Sequence, residues 1–327
     1  MSLKKIMQIP AAIAVMAAAS VIGSTAAVAA YPDKPIRIIV PYPAGGSVDT
    51  LARTLGQKLS EDFKQPIVVE NRAGGGSTIG ASYVAESEPD GYTLLLGTSA
   101  ALAVNVSLYK NLSYDPIKDF EPVILGAKLP SFVLISSKQN IKTIQELNES
   151  LKKLGDSANY ATSGNGTPSH LGTELYKREL GLSAVHVPYK GGAPALADMV
   201  ANRANFMIAI VPESTPFVQS GQLRALAVTS TERLPDYPDL PTVSEIVPGY
   251  SLEAWYALVA PAGTPADVVA TLNKAVNAAL DDEEIAGKLK ATGFQLAGGT
   301  PEELHELMVS EKAKWKKVIE DAHITAG

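Results

Sequence analysis

The 327-residue sequence contains no cysteine, which rules out disulfides, a thiol nucleophile and a lipidated N-terminal cysteine. Stability must then come from the core alone, and a chain of this length can build one. Histidine is scarce as well. His170, His186, His305 and His323 are the only four, and their separation gives no metal-ligand spacing. There is neither a G-x-x-x-x-G-K-[ST] loop nor a G-x-S-x-G elbow. Positive charge is in deficit, with 28 Lys and Arg against 34 Asp and Glu for a net charge of −6, which argues against nucleic acid and anionic membrane surfaces as partners. Beyond residue 30, no apolar run approaches the length of a membrane span.

What is present begins with a leader. Lys4 and Lys5 precede an uncharged, alanine-rich stretch from Ile6 to Ala30 that ends in Ala27-Val28-Ala29-Ala30. This pattern predicts a signal peptide over residues 1–30, cleaved near Ala30. The alternative is an uncleaved anchor, but alanine and serine make the run weakly apolar and its small terminal residues suit a peptidase. The rest of the chain, 46% hydrophobic and 19% charged overall, reads as one large or two medium globular domains.

Residues 35–40 alternate with β-branched side chains and predict a strand, and 48–59 place Leu51, Leu55 and Leu59 at helical spacing. A strand at 67–69, a helix at 78–85 and a strand at 92–96 follow, and this alternation implies a parallel sheet covered by helices. The same grammar restarts downstream, with strands at 159–162 and 185–187 and helices at 168–180 and 194–202. Extended stretches at 120–125 and 132–135 lie between the halves, and a further one at 252–259 lies well downstream. If they are connecting strands, the expected division is a first domain of 31–126 plus 253–327 and a second of 127–252, with a hinge behind the cleft between them. Thr143 with Glu146, Thr264 with Asp267 and Thr300 with Glu303 mark three helix starts. The last helix presents Leu304, Leu307, Met308, Trp315, Val318 and Ile319 on one face.

Four glycine-rich turns sit where strands give way to helices: Tyr42-Pro43-Ala44-Gly45-Gly46, Asn71-Arg72-Ala73-Gly74-Gly75-Gly76, Ser163-Gly164-Asn165-Gly166-Thr167 and Pro188-Tyr189-Lys190-Gly191-Gly192. A helix start offers unpaired N–H groups and a positive dipole end, and glycine lets a ligand approach them. Any one such turn is also an ordinary connection, but two in each half, all at strand ends, point to a shared anion cleft. A dinucleotide fingerprint beginning at Gly74 fails because Ile79 stands where its third glycine belongs. His170 either touches a ligand or caps its helix, Tyr42 and Tyr189 are candidate walls, and Arg72 and Lys190 are the cations within the turns. Asp49 is expected to order the Gly45-Gly46 loop from behind, since a carboxylate facing a bound anion would repel it. Valine at Gly46 or Gly74 is expected to block the amides and spare the fold.

Taken together, these motifs resemble the substrate-binding proteins of tripartite tricarboxylate transporters, the TctC or Bug family, from Tyr31 to about His323. The resemblance is carried by Tyr31-Pro32-Asp33-Lys34-Pro35-Ile36, by Val40-Pro41-Tyr42-Pro43-Ala44-Gly45-Gly46-Ser47-Val48-Asp49 and by Glu70-Asn71-Arg72-Ala73-Gly74-Gly75. Further matches are Tyr114-Asp115-Pro116 with Asp119-Phe120, Val187-Pro188-Tyr189-Lys190-Gly191, and Trp255-Tyr256 with Ala260-Pro261-Ala262-Gly263-Thr264-Pro265. It implies an α/β, two-lobe fold like that of periplasmic binding proteins, each lobe a mainly parallel sheet flanked by helices, with the ligand cleft between lobes. It also implies a non-enzymatic periplasmic monomer, without cofactor or metal, that captures a small organic carboxylate by hinge closure and delivers it to membrane transporter subunits. Carried over by position, ligand contacts fall to Tyr42, Ala44, Gly45, Gly46, Asn71, Ala73 and Gly74, and across the cleft to Thr162, Ser163, Gly166, His170, Tyr189 and Lys190. Where the family often places an acid after an apolar strand, this chain has Ala209-Ile210-Val211. The missing acid favours a dicarboxylate or an aromatic or aliphatic acid over an amino acid, whose ammonium would seek a carboxylate. A sensory binding protein that reports to a receptor and an exported carboxylic-ester hydrolase are the alternative readings.

Overall fold

Strands and helices alternate through both halves, as the apolar spacing requires. The computed structural model describes residues 31–321 and 324; the leader expected over 1–30, and His323, lie outside the described residues. The first half runs β1 (Ile36–Val40), α1 (Ser47–Phe63), β2 (Ile67–Asn71), α2 (Thr78–Ala85), β3 (Thr93–Thr98) and, after a wide helical turn at Ala100–Val104, α3 (Asn105–Leu108). A long strand, β4 (Phe120–Ser136), leads into α4 (Ile144–Leu154), β5 (Asn159–Thr162), α5 (Pro168–Leu180), β6 (Val185–Pro188), α6 (Gly192–Val200), β7 (Phe206–Ile210), α7 (Val211–Gln219) and β8 (Leu223–Val228). The chain returns through β9 (Glu253–Pro261) and closes with α8 (Ala266–Asp281), α9 (Glu283–Lys290), β10 (Gln295–Gly298) and α10 (Pro301–Asp321).

The strands form one sheet in the order β2-β1-β3-β9-β4-β7-β5-β6, with β8 and β10 also paired to β4. Strands β2, β1 and β3 are mutually parallel, as are β6, β5 and β7. The two parallel groups are joined through antiparallel pairings of β9 and β4. The extended stretches at 120–125 and 132–135 prove to be one 17-residue strand. Its first part pairs with β9 from Phe120 opposite Pro261 to Pro130 opposite Glu253, and from Ser131 onward it pairs with β7 and β8. Register shifts at Pro122/Ile124, Leu125/Ala127 and Val133/Leu134 let this strand bend while passing from one half to the other.

Alternation along the strands decides which core each side chain enters. Ile38, Leu94 and Leu96 face α1 and α8 through Leu51, Leu55, Leu272 and Val276. Their neighbours Ile39 and Leu95 point the other way, toward Val84, Leu102, Leu304 and Met308. In the second half Val133 and Ile135 join Leu147, Leu151, Tyr160 and Tyr176, whereas Phe132 and Leu134 join Leu196, Met199 and Met207. Each half of the sheet is thus covered on both faces, which is how parallel strands are stabilised.

The helix starts behave unequally. Thr143 Oγ1 accepts from the Glu146 amide at 3.2 Å, and Thr300 and Glu303 form a reciprocal pair at 3.2 and 2.9 Å. Thr264 does not cap α8; its hydroxyl donates to the Pro261 carbonyl at 2.8 Å, leaving Pro265 at the cap position. The helix expected from 194 begins at Gly192.

Candidate ligand-binding site

The turn between β1 and α1 is built to leave amides free. Gly46 occupies the cap position of α1 in extended geometry with no side-chain cap, so the first-turn N–H groups of the helix lack partners from their own helix. Gly45 adopts φ +87°, a conformation open to glycine at little cost. Behind the turn, buried Asp49 accepts from the Gly45 amide at 2.9 Å, from Arg53 Nε and Nη2 at 2.9 Å each, and from Asn71 Nδ2 at 2.9 Å. Burial opposes its charge, yet these donors outweigh burial and hold the Asp49 pKa below the usual carboxylate value. Asn71 Nδ2 also reaches the Tyr42 carbonyl at 3.1 Å, locking one glycine turn to the other.

The turn after β2 is shaped for its own sake. Gly74, Gly75 and Gly76 all have positive φ, and a Cβ at Gly74 would stand 2.6 Å from Ile79 Cδ1. In the second half, Gly166 N donates to His170 Nδ1 at 3.1 Å. The His170 ring stacks on His186 at 4.0 Å between centroids, and Thr162 Oγ1 lies 2.7 Å from His186 Nε2. Tyr189 donates to Asp198 Oδ2 at 2.7 Å, and Gly191 N donates to the Ser163 carbonyl at 3.1 Å.

A cavity of about 490 Å³ opens between the halves, a volume in the range of small-molecule sites. Of the residues expected at the ligand, Tyr42, Ala44, Gly45, Gly46, Ser163 and Lys190 line it. The other seven, Asn71, Ala73, Gly74, Thr162, Gly166, His170 and Tyr189, are not among its lining residues. Ala73 and Gly74 are exposed, Asn71, Thr162 and His170 spend polar atoms on the turns themselves, and the Tyr189 hydroxyl is taken by Asp198 of α6.

Sequence reasoning passed over several lining residues, Ser47, Thr98, Ser99 and Glu213, whereas Tyr256, one of the aromatics that flank the turns in the sequence, also lines the cavity. Ser99 follows β3, is 2% exposed, and its hydroxyl has no hydrogen-bond partner. Glu213 corrects the expectation that this wall lacks an acid. The carboxylate missing from Ala209-Ile210-Val211 arrives in the next turn, where Glu213 Oε1 accepts from Ser47 Oγ at 3.0 Å. The side chain is only partly covered, but its carboxyl end is buried, and that burial raises its pKa although the Ser47 hydroxyl and amide favour the charged form. A first-turn glutamate beside a proline looks in sequence like an ordinary complement to the helix dipole, so nothing there distinguishes it.

The arrangement of a two-part α/β chain around a cleft lined by helix N-termini agrees with known proteins. The family model described as "Tripartite tricarboxylate transporter family receptor" matches residues 51–324. The chain belongs to this family. Among solved structures, Rpa4515 of R. palustris, determined with adipate, is 36% identical with a TM-score of 0.86, covering 90% of this chain and 99% of that one. The periplasmic binding protein BugD is 34% identical at TM-score 0.84, with 90% and 99% coverage. MatC (Rpa3494) of Rhodopseudomonas palustris, determined with bound malate, is 33% identical at TM-score 0.82, covering 88% of this chain and all of that one. These neighbours of the TctC-family chain are binding proteins and not enzymes, and BugD is a periplasmic one. Among the described residues, no helix is long and apolar enough to cross a membrane.

Proposed function

We propose that this chain is an exported solute-binding protein that captures a small organic carboxylate by lobe closure and delivers it to a tripartite tricarboxylate-type membrane transporter. The observation that carries this reading is the α1 N-terminus, unpartnered by its own helix and opening onto the interlobe cavity. Adipate and malate in two related structures support the ligand class. In this reading the turn amides of Ala44 and Gly46, just ahead of α1, hold a carboxylate, directly or through water, while the Gly45 amide stays with Asp49 and keeps the turn in shape. Tyr42 and Ser99 contribute hydroxyls, and Ser163 and Lys190 complete the site from the other lobe. Asp49 and Asn71 hold the loop in shape, and the His170 network does the same across the cleft. The lobes that close correspond to 31–126 with 253–327, and 127–252, and the leader is removed near Ala30. Net negative charge does not oppose anion capture, because local N–H dipoles decide binding at contact distance.

Mass spectrometry of solute that co-purifies with the chain, followed by a thermal-shift screen of mono- and dicarboxylates, tests the assignment. Ligand at about 100 times its dissociation constant adds ~2.7 kcal/mol of stability, which moves the midpoint by several degrees. A midpoint raised by a sugar or nucleotide and by no carboxylate would refute it.

A further inference from the structure

Glu213 comes from α7 of the second lobe, and Ser47, its partner, from the first turn of α1, 166 residues away in sequence. Ser47 Oγ lies 3.0 Å from Glu213 Oε1 and 2.7 Å from the Tyr256 hydroxyl. A serine hydroxyl has one proton to give. Donation to Glu213 therefore makes Tyr256 the donor to Ser47, and a chain of hydroxyls runs from β9 through α1 to the carboxyl. Burial holds the Tyr256 phenol protonated, as a donor must be.

The other oxygen faces the opposite wall. A Cβ built at Gly192, the first residue of α6, would collide with Glu213 Oε2, whereas one at Gly46 would stand 3.9 Å from Oε1. The carboxyl therefore sits between the N-termini of α1 and α6, two helices from different lobes. Both termini favour negative charge there. Gly192 has no φ that demands glycine; its missing side chain is what admits the carboxyl.

From this geometry we infer that Glu213 is an internal carboxylate of the cleft: it takes the α1 anion seat, ties the lobes together, and must be displaced by the carboxylate of an incoming solute. The inference rests on the carboxylate reading above. It makes Glu213 the residue that sets the affinity threshold, because a solute gains only the difference between its own contacts and those Glu213 gives up. Solutes able to engage the seat and Lys190 at once are favoured over those that merely replace one carboxylate with another.

Adipate and malate serve as probes. Glu213→Gln keeps the shape and removes the charge, and Glu213→Ala empties the seat. Both variants are expected to bind a probe about tenfold more tightly than wild type by calorimetry, a change of ~1.4 kcal/mol. With no solute added, Glu213→Ala and Gly192→Ala are expected to show a larger radius of gyration in X-ray scattering than wild type. Circular dichroism first establishes that each variant folds, and Glu213→Gln carries the affinity test if the alanine variant does not. Affinity unchanged or weakened in the folded Glu213 variants, or scattering unchanged in both Glu213→Ala and Gly192→Ala, overturns the proposal. If no carboxylate binds wild type or variants, the functional reading fails, and the scattering comparison alone then decides whether Glu213 ties the lobes.

Discussion

Gly46 and Gly74 are indistinguishable in sequence, each a glycine before a helix, and they differ entirely in what surrounds them. Gly46 has φ −81°, and a Cβ there would meet nothing nearer than 3.9 Å, so valine is accommodated but projects into the cavity. Gly74 has φ +132° and faces Ile79. Gly46→Val is expected to keep its unfolding midpoint within a few degrees and lose carboxylate binding. Gly74→Val is expected to lose ~1–3 kcal/mol of stability in chemical denaturation, the usual cost of a strained backbone. The sequence-based expectation of two equivalent blocking variants thus holds sterically for one position only. Ser99 gives the opposite contrast. Its buried hydroxyl is unsatisfied in the fold, so Ser99→Ala should leave stability unchanged or slightly raised while weakening carboxylate binding by about 0.5–1.5 kcal/mol, the worth of one hydrogen bond. A loss of stability without a change in dissociation constant would place Ser99 outside the site.

Elements with local signals were legible. The spans of α2, β5 and α5 match expectation to the residue, and for α5 Thr167 with Pro168 at the start and Gly181 past the end fix the boundaries chemically. Long β4 was not legible as one element, since Pro122, Gly126 and Pro130 break its pattern and only pairing with β9, β7 and β8 holds it extended. Thr264 failed as a cap for a similar reason: the Pro261 carbonyl competes for its hydroxyl. The packing of β5, α5 and β6 also hides a titratable stack. His186 lies between Tyr160 and His170, at 5.0 and 4.0 Å between centroids. Burial first, then the neighbouring His170, pushes the His186 pKa down to about 4, and burial lowers His170 as well. Unfolded histidine titrates near 6.5. Between about pH 6.5 and 4 the unfolded chain therefore binds more protons, so the contribution of the neutral stack is complete above that window and is lost as pH falls through it. His186→Phe keeps an aromatic ring in the stack and removes one titration. The fall in melting temperature between about pH 7 and 4.5 should be shallower in this variant than in wild type, and an equal or steeper fall would show that His186 does not contribute to it.

For the molecule as a whole, the two long strands β4 and β9 are the expected links between lobes, but α10 is a third. Its first half packs Leu304 and Met308 on the sheet face shared with Leu95 and Val259. Its second half places Trp315 and Ile319 in the core that holds Tyr160, Leu171 and Phe206, with Trp315 Nε1 donating to Glu311 Oε2 at 2.7 Å. Helical spacing in the sequence identifies this apolar face and cannot say that it meets two different cores, because periodicity encodes direction from one helix and not the identity of its neighbours. The lobe closure proposed above would consequently have to bend α10 or slide it against one core, in addition to flexing β4 and β9. Trp315 is 2% exposed, and Trp→Ala in a core typically costs ~3–5 kcal/mol. Trp315→Ala should therefore lower overall stability by about that amount. It should also speed hydrogen exchange in α4, α5 and β5 more than in α1, β1 and β3, since the lost contacts belong to the second core. Equal acceleration in both sets would mean that the two cores unfold as one cooperative unit, and α10 would then be a bolt across the cleft and not a sliding link.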